Sequence, residues 1–220
     1  MAVIGVTTGA FDADIVQGIR RVGGFGTKWI NDLDDMHGID GLVLPGGGDV
    51  HPERYGEPMS NLIYGASRDR DELEFGAVRI ANNLGIPIFG ICRGHQVLGA
   101  SAGIKLIPNI SYNHTQLGGR DWRHSAHPIY GPMQEFSPGV NSLHHQAVPN
   151  QAELLAELGI EILAVSDNAE VGDRVIVEAM RGPNFISCQW HPELDWNTWP
   201  ASRQMFLYFK EMVESHATER

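Results

Sequence analysis

Chemistry in this chain gathers around Cys92. It stands in Gly90-Ile91-Cys92-Arg93-Gly94, a Gly-x-nucleophile-x-Gly spacing, after the apolar run Ile86, Ile88, Phe89, Ile91 and before a helical stretch from Arg93 to Ala102. That order predicts a buried strand, a sharp turn and a helix. The glycines let strand and helix approach closely while the turn residue projects from the end of a sheet. At a helix N-terminus the unbonded N–H groups and the macrodipole favour thiolate over thiol. The plainer reading of a free cysteine is a small core hydrophobe. It suits Cys188, inside the apolar run from Phe185 to Trp190, but leaves the elbow spacing of Cys92 without a reason.

A cysteine nucleophile needs a base, and the base needs an orienting group. Gln189-Trp190-His191-Pro192-Glu193 offers both: His191 emerges from an apolar strand, and Pro192 restricts the backbone so that Glu193 can fold back toward the imidazole. Alone, His-Pro-Glu after a strand is more often a turn; beside an elbow cysteine it reads as a base with its carboxylate. The third need is a cradle for an oxyanion. Backbone N–H groups of Gly46, Gly47 and Gly48, just after an apolar run, and of Arg93, just after the nucleophile, are the candidates. A triple glycine can equally be a flexible turn or a phosphate cradle. No Gly-Lys-Ser/Thr follows it, however, and a phosphate site would leave Cys92 and His191 without a role.

Ten histidines raise the question of a metal, with His124 and His127, or His144 and His145, as candidate ligands. No Cys/His spacing of a structural zinc site and no His-Glu-x-x-His occurs, so neither metal nor cofactor is expected. His144-His145-Gln146 follows an apolar strand and is placed near the mouth of the pocket.

The elements that must hold these groups read as alternating strands and helices. Strands are expected at 2–7, 27–30, 41–44, 86–91, 104–107, 140–143, 160–165, 175–180 and 185–190. Helices are expected at 12–22 with Asp12 as cap, 69–84 with Leu73, Ala77, Ile80, Ala81 and Leu84 on its apolar face, 93–102, 151–158 and 201–215. Such alternation predicts a mostly parallel sheet whose ligands gather at the carboxyl ends of its strands, where the glycine loop and Cys92 both fall. The stretch 108–139 reads as long loops or an antiparallel ribbon.

At 220 residues, 42% hydrophobic and 20% charged, one globular domain over 1–220 is expected. A net charge of −11 argues against nucleic-acid and anionic-membrane partners. Two cysteines make no disulfide framework, no run approaches the roughly 18 apolar residues of a membrane span, and the first residues lack a signal-peptide pattern. A cytoplasmic protein is the expectation.

At Leu44-Pro45-Gly46-Gly47-Gly48-Asp49-Val50, Arg68-Asp69-Arg70-Asp71, Ile86 to Leu98, Val140 to Val148 and Gln189 to Glu193 the chain resembles the class I glutamine amidotransferase superfamily, and within it the peptidase C26 branch that includes gamma-glutamyl-gamma-aminobutyrate hydrolase. The resemblance implies a flavodoxin-like three-layer α/β sandwich with a small antiparallel ribbon. It implies a Cys92, His191, Glu193 triad, an oxyanion hole at Gly47, Gly48 and Arg93, and Gln96 near the glutamyl group. His144 and His145, from their expected place at the pocket mouth, are further candidate substrate contacts. The resemblance also implies a hydrolase that cleaves a small gamma-glutamyl amide through a thioester. The alternatives are a glutaminase subunit that delivers ammonia to a separate synthase, and a catalytically silent binding module. The expected partner is a small gamma-glutamyl substrate, with a second copy of the chain or a synthase subunit as protein partners.

Overall fold

A computed structural model describes residues 1–110, 126–168 and 174–218. Its centre is a mixed sheet in the order β2-β1-β3-β4-β10-β9-β7, with β8 on the far side of β9. The strands are β1 (Val3–Thr7), β2 (Gly26–Ile30), β3 (Gly41–Leu44), β4 (Ile88–Ile91), β7 (Val148–Pro149), β8 (Glu161–Asn168), β9 (Arg174–Arg181) and β10 (Phe185–Cys188). Strands β2, β1, β3, β4 and β10 run parallel, while β9 is antiparallel to β10, β7 and β8. A separate antiparallel ribbon pairs β5 (Ala126–Pro128) with β6 (Gly139–Asn141).

Side chains alternate across the parallel strands, and the two faces bury different helices. Val43, Phe89, Ile91 and Ile186 point toward α1 (Asp12–Gly18) and α5 (Pro200–Thr218), meeting Ile15, Met205, Phe206 and Phe209. Leu42, Leu44 and Ile88 point the other way, toward α2 (Arg68–Leu84), α3 (Arg93–Ser101) and α4 (Ala152–Glu157), meeting Ala77, Val78, Val97, Leu98 and Leu155. The result is the three-layer α/β sandwich with a small ribbon that the alternation predicts.

Several local expectations give way to longer-range physics. Residues 104–107 form no strand, only an isolated antiparallel bridge from Ile107 to Ala147. Asp12 does not cap α1. Phe11 occupies the cap position with a left-handed backbone, and the Asp12 carboxylate instead accepts from Gly9 N–H at 2.9 Å. The helix itself ends at Gly18 and continues as one π-helical turn, Ile19–Gly23, before Gly24 at φ +74°. On α2, Leu84 is exposed, and the inward face carries Asp71 and Glu74, both fully buried. An apolar-periodicity reading has no means of placing carboxylates in a core, because their burial depends on a cation from elsewhere in the chain.

Candidate active site

The turn between β4 and α3 is an elbow. Cys92 sits at φ 50° and ψ −100°, one of two non-glycine residues with positive φ among the described residues. Such backbone strain costs about 1–3 kcal/mol and persists only where the surroundings impose it. They do so here: Cys92 N–H donates to the Cys188 carbonyl at 2.8 Å, tying the elbow to β10. The flanking glycines permit the tight approach. A side chain at Gly90 would lie 2.7 Å from the Gly94 carbonyl oxygen and 2.6 Å from Leu98, and one at Gly94 would collide with the Leu44 carbonyl.

His191 lies three residues beyond the end of β10 and reaches Cys92. Its Nδ1 lies 2.7 Å from Glu193 Oε1 and its side chain hydrogen-bonds Cys92. Since the carboxylate takes the Nδ1 proton, Nε2 is left for the sulfur. Burial opposes a charge on this imidazole, but the Glu193 carboxylate and the Cys92 sulfur outweigh it, so the His191 pKa is raised well above its usual value. The ring is also held mechanically. Asn141, at the end of β6, accepts from His191 N–H at 2.9 Å and donates to its carbonyl at 2.8 Å, and it donates to Asp195 at 2.8 Å. Phe11 packs edge-on against the imidazole at 5.2 Å.

The glycine loop after β3 lies against this pair, since a side chain at Gly46 would lie 2.6 Å from the His191 ring and 3.5 Å from Cys92. Arg70 fixes the loop's orientation by donating to the carbonyls of Pro45 at 3.1 Å and Gly46 at 3.0 Å. Ala10 N–H also donates to the Gly46 carbonyl, at 3.0 Å. In a planar trans peptide N–H and C=O point oppositely, so pinning the Gly46 carbonyl turns the Gly47 N–H away from Arg70. Gly47 has φ +145°, a conformation that suits glycine, and a side chain there would strike the Arg70 guanidinium. The Arg93 N–H opens α3 and belongs to the unbonded first turn.

The Arg93 side chain has a different task from its N–H. It turns under the helix, 1% exposed, and pairs with Asp71 and Glu74. Glu74 also accepts from Arg70 Nε at 2.8 Å and from Thr7 Oγ1 at 3.0 Å. One buried carboxylate therefore joins the arginine that orients the glycine loop to the arginine that opens the elbow helix.

Cys92, His191, Glu193 and the glycine loop thus meet, as the spacing predicts. The substrate-side expectations divide. Gln96 is buried, and its amide nitrogen is engaged by the Gln146 carbonyl at 3.0 Å and Gln189 Oε1 at 3.2 Å. His145 is partly open, 2.9 Å from Asp49 and edge-on to Tyr64. Its neighbour His144 is not at a mouth: it is 3% exposed and turned inward. His124 lies outside the described residues. Asn141, Arg70 and Glu74 carry no role that their sequence surroundings announce. The only local signal was the Arg68-Asp69-Arg70-Asp71 run, whose charges gain meaning once Arg93 lies beneath them.

Residues 12–193 match the Peptidase C26 family, and the chain belongs to it. A Schizosaccharomyces pombe protein named "Putative glutamine amidotransferase PB2B2.05" is 32% identical over 195 residues, covering 81% of this chain and 71% of that protein. The gamma-glutamyl-gamma-aminobutyrate hydrolase PuuD of Escherichia coli K12 is 27% identical over 205 residues, covering 83% and 75%. Among solved structures, a Thermoplasma acidophilum protein titled a "putative gmp synthase subunit a" superposes with a TM-score of 0.68 at 20% identity, covering 99% of this chain and 96% of that one. The fold is therefore that of glutamine amidotransferases, and these relationships support a hydrolase acting on carbon-nitrogen bonds. No helix among the described residues is long and apolar enough to cross a membrane.

Proposed function

We propose that this chain hydrolyses the gamma-amide bond of glutamine or of a small gamma-glutamyl amine through a covalent thioester on Cys92. The observation that carries this reading is the His191 imidazole, held between the Cys92 sulfur and the Glu193 carboxylate beside Gly46. The Cys92 thiolate attacks the gamma-carbonyl carbon, and the carbonyl electron pair moves to oxygen, where the N–H groups of Gly47, Gly48 and Arg93 receive it. As the oxyanion collapses, the C–N bond breaks and His191 gives its proton to the departing amine. His191 then takes a proton from water, the hydroxide adds to the thioester, and glutamate leaves as the thiolate is restored. Gln96, by resemblance, and His145, which is partly open, are assigned to substrate contact; His144, turned inward, is not.

The test is glutamate release by the purified chain from glutamine and a panel of gamma-glutamyl amides. Turnover without any added protein is the expected result. Cys92→Ala should lower it by ~10³-fold or more while leaving the melting temperature within a few degrees. Undiminished turnover by that variant would remove Cys92 from the mechanism. A second reading, a glutaminase that passes ammonia to a separate synthase, draws on the relative named as a glutamine amidotransferase. Glutaminase activity that arises only with a partner present would select it. Failure of Cys92 to form an adduct with a glutamine-like electrophile would select a silent binding module.

A further inference from the structure

A second imidazole-carboxylate group lies in the core, away from any role in the proposed reaction. Glu178, in β9, is fully buried. Its Oε1 lies 3.4 Å from His127 Nε2 and 3.8 Å from His144 Nε2, and the ligand atoms of the three residues all fall within 4.8 Å of one another. His127 comes from β5, His144 from the link between β6 and β7, and Glu178 from the main sheet.

The other ring nitrogens settle the tautomers. His127 Nδ1 is 3.1 Å from the Pro128 carbonyl, and His144 Nδ1 is 3.0 Å from the Gln146 carbonyl. A carbonyl only accepts, so each Nδ1 carries a proton and Nε2, on the Glu178 side, is the nitrogen that each ring would offer to a metal. Two imidazole nitrogens and a carboxylate oxygen from three separate elements converge in one buried space, a donor set suited to a divalent cation. A metal ion serves all three. The arrangement also has the outer shell of a metal site, in which each ligating imidazole donates its second N–H to a fixed oxygen. Tetrahedral bonds of about 2.0–2.1 Å place ligand atoms roughly 3.3 Å apart, so the 3.4 Å separation fits, the 3.8 Å one needs a small closure, and the two imidazole nitrogens, within 4.8 Å of each other, would draw together on the ion. Ser166 Oγ, 2.8 Å from Glu178 Oε1, orients the carboxylate.

We propose that His127, His144 and Glu178 bind one zinc-like divalent ion, which fastens the β5–β6 ribbon to β9. The proposal is independent of the reaction assigned to Cys92.

The experiment uses chelator-treated full-length protein carrying Cys92→Ser, so that a thiolate beside His191 cannot supply the binding. Zn²⁺ is titrated in competition with a chromophoric chelator. One equivalent bound, weakened about 100-fold or more by Glu178→Gln and by His144→Gln, is expected. Circular dichroism verifies that each variant is folded, and His127→Gln replaces one that is not. Co²⁺ added to the unsubstituted protein should give tetrahedral visible bands without thiolate charge transfer. Absence of stoichiometric uptake in the Cys92→Ser protein, or equal affinity in the folded variants, would overturn the proposal. So would a Co²⁺ spectrum dominated by thiolate charge transfer.

Discussion

The Cys92, His191, Glu193 group and the His127, His144, Glu178 group use the same imidazole and carboxylate chemistry, yet they differ in how the chain encodes them. His191 and Glu193 are separated by one residue, so their pairing is set by a proline turn and is visible in five letters of sequence. His127, His144 and Glu178 come from three separate elements and meet only because β6 pairs with β5 while β9 lies in the main sheet. They also differ in what balances the charge. A sulfur stands opposite Glu193 across the His191 ring, whereas two backbone carbonyls hold the outer nitrogens of His127 and His144. In the roles proposed above, the first group moves a proton and the second holds a cation.

Glu193→Gln breaks the first group most sharply. The amide keeps the volume but can offer Nδ1 a donor in place of the acceptor, and kcat on the substrate found by the amide panel should fall by ~10³–10⁴-fold. A loss below tenfold would remove Glu193 from the orienting role.

A smaller effect is read from stability against pH, where two buried histidines should show opposite signs. The folded-state pKa of His191 is raised, so the stability it contributes is fully present below about pH 6.5 and is lost as pH rises through the folded value. Burial lowers His95 to about 3, opposed by its hydrogen bond with the Val177 carbonyl, so its contribution is present above about pH 6.5 and fades as pH falls toward the folded value. Urea denaturation across that range should show the deficit of His191→Gln shrinking with rising pH and that of His95→Gln growing. Parallel slopes would contradict the assignment.

The smallest effect expected concerns the elbow backbone. Replacing Cys92 by Gly rather than by Ala relieves the positive φ, and the glycine variant should be the more stable by ~1 kcal/mol in equilibrium unfolding. Equal stabilities would mean that the elbow carries no strain.

What was legible in sequence follows the same division. Strands β1, β3, β4 and β10, the elbow at Cys92, the His191–Glu193 pair and the glycine loop are all written in short windows, because sheet periodicity and turn chemistry act over a few residues. The sequence points to Arg93 only through its backbone N–H, whereas its side chain is the counter-charge for Asp71 and Glu74. That ion network joins α2, α3 and the glycine loop, a long-range arrangement that no local pattern encodes. Residues 104–107 have the composition of a strand, but they find a single bridging partner at Ala147. The sequence offers His124 with His127, and His144 with His145, as candidate ligand pairs; His127 and His144, one from each pair, are the two that converge on Glu178.

Asn141 grips both the amide and the carbonyl of His191, so the imidazole hangs from the ribbon as much as it rises from the sheet. A change anywhere along β5 or β6 that tilts this amide would swing the ring against the sulfur without altering any residue assigned to the reaction. In the proposed reaction the ribbon is thus a tuning peg: divergence within it would adjust the pace of proton transfer while the reacting groups stay as they are.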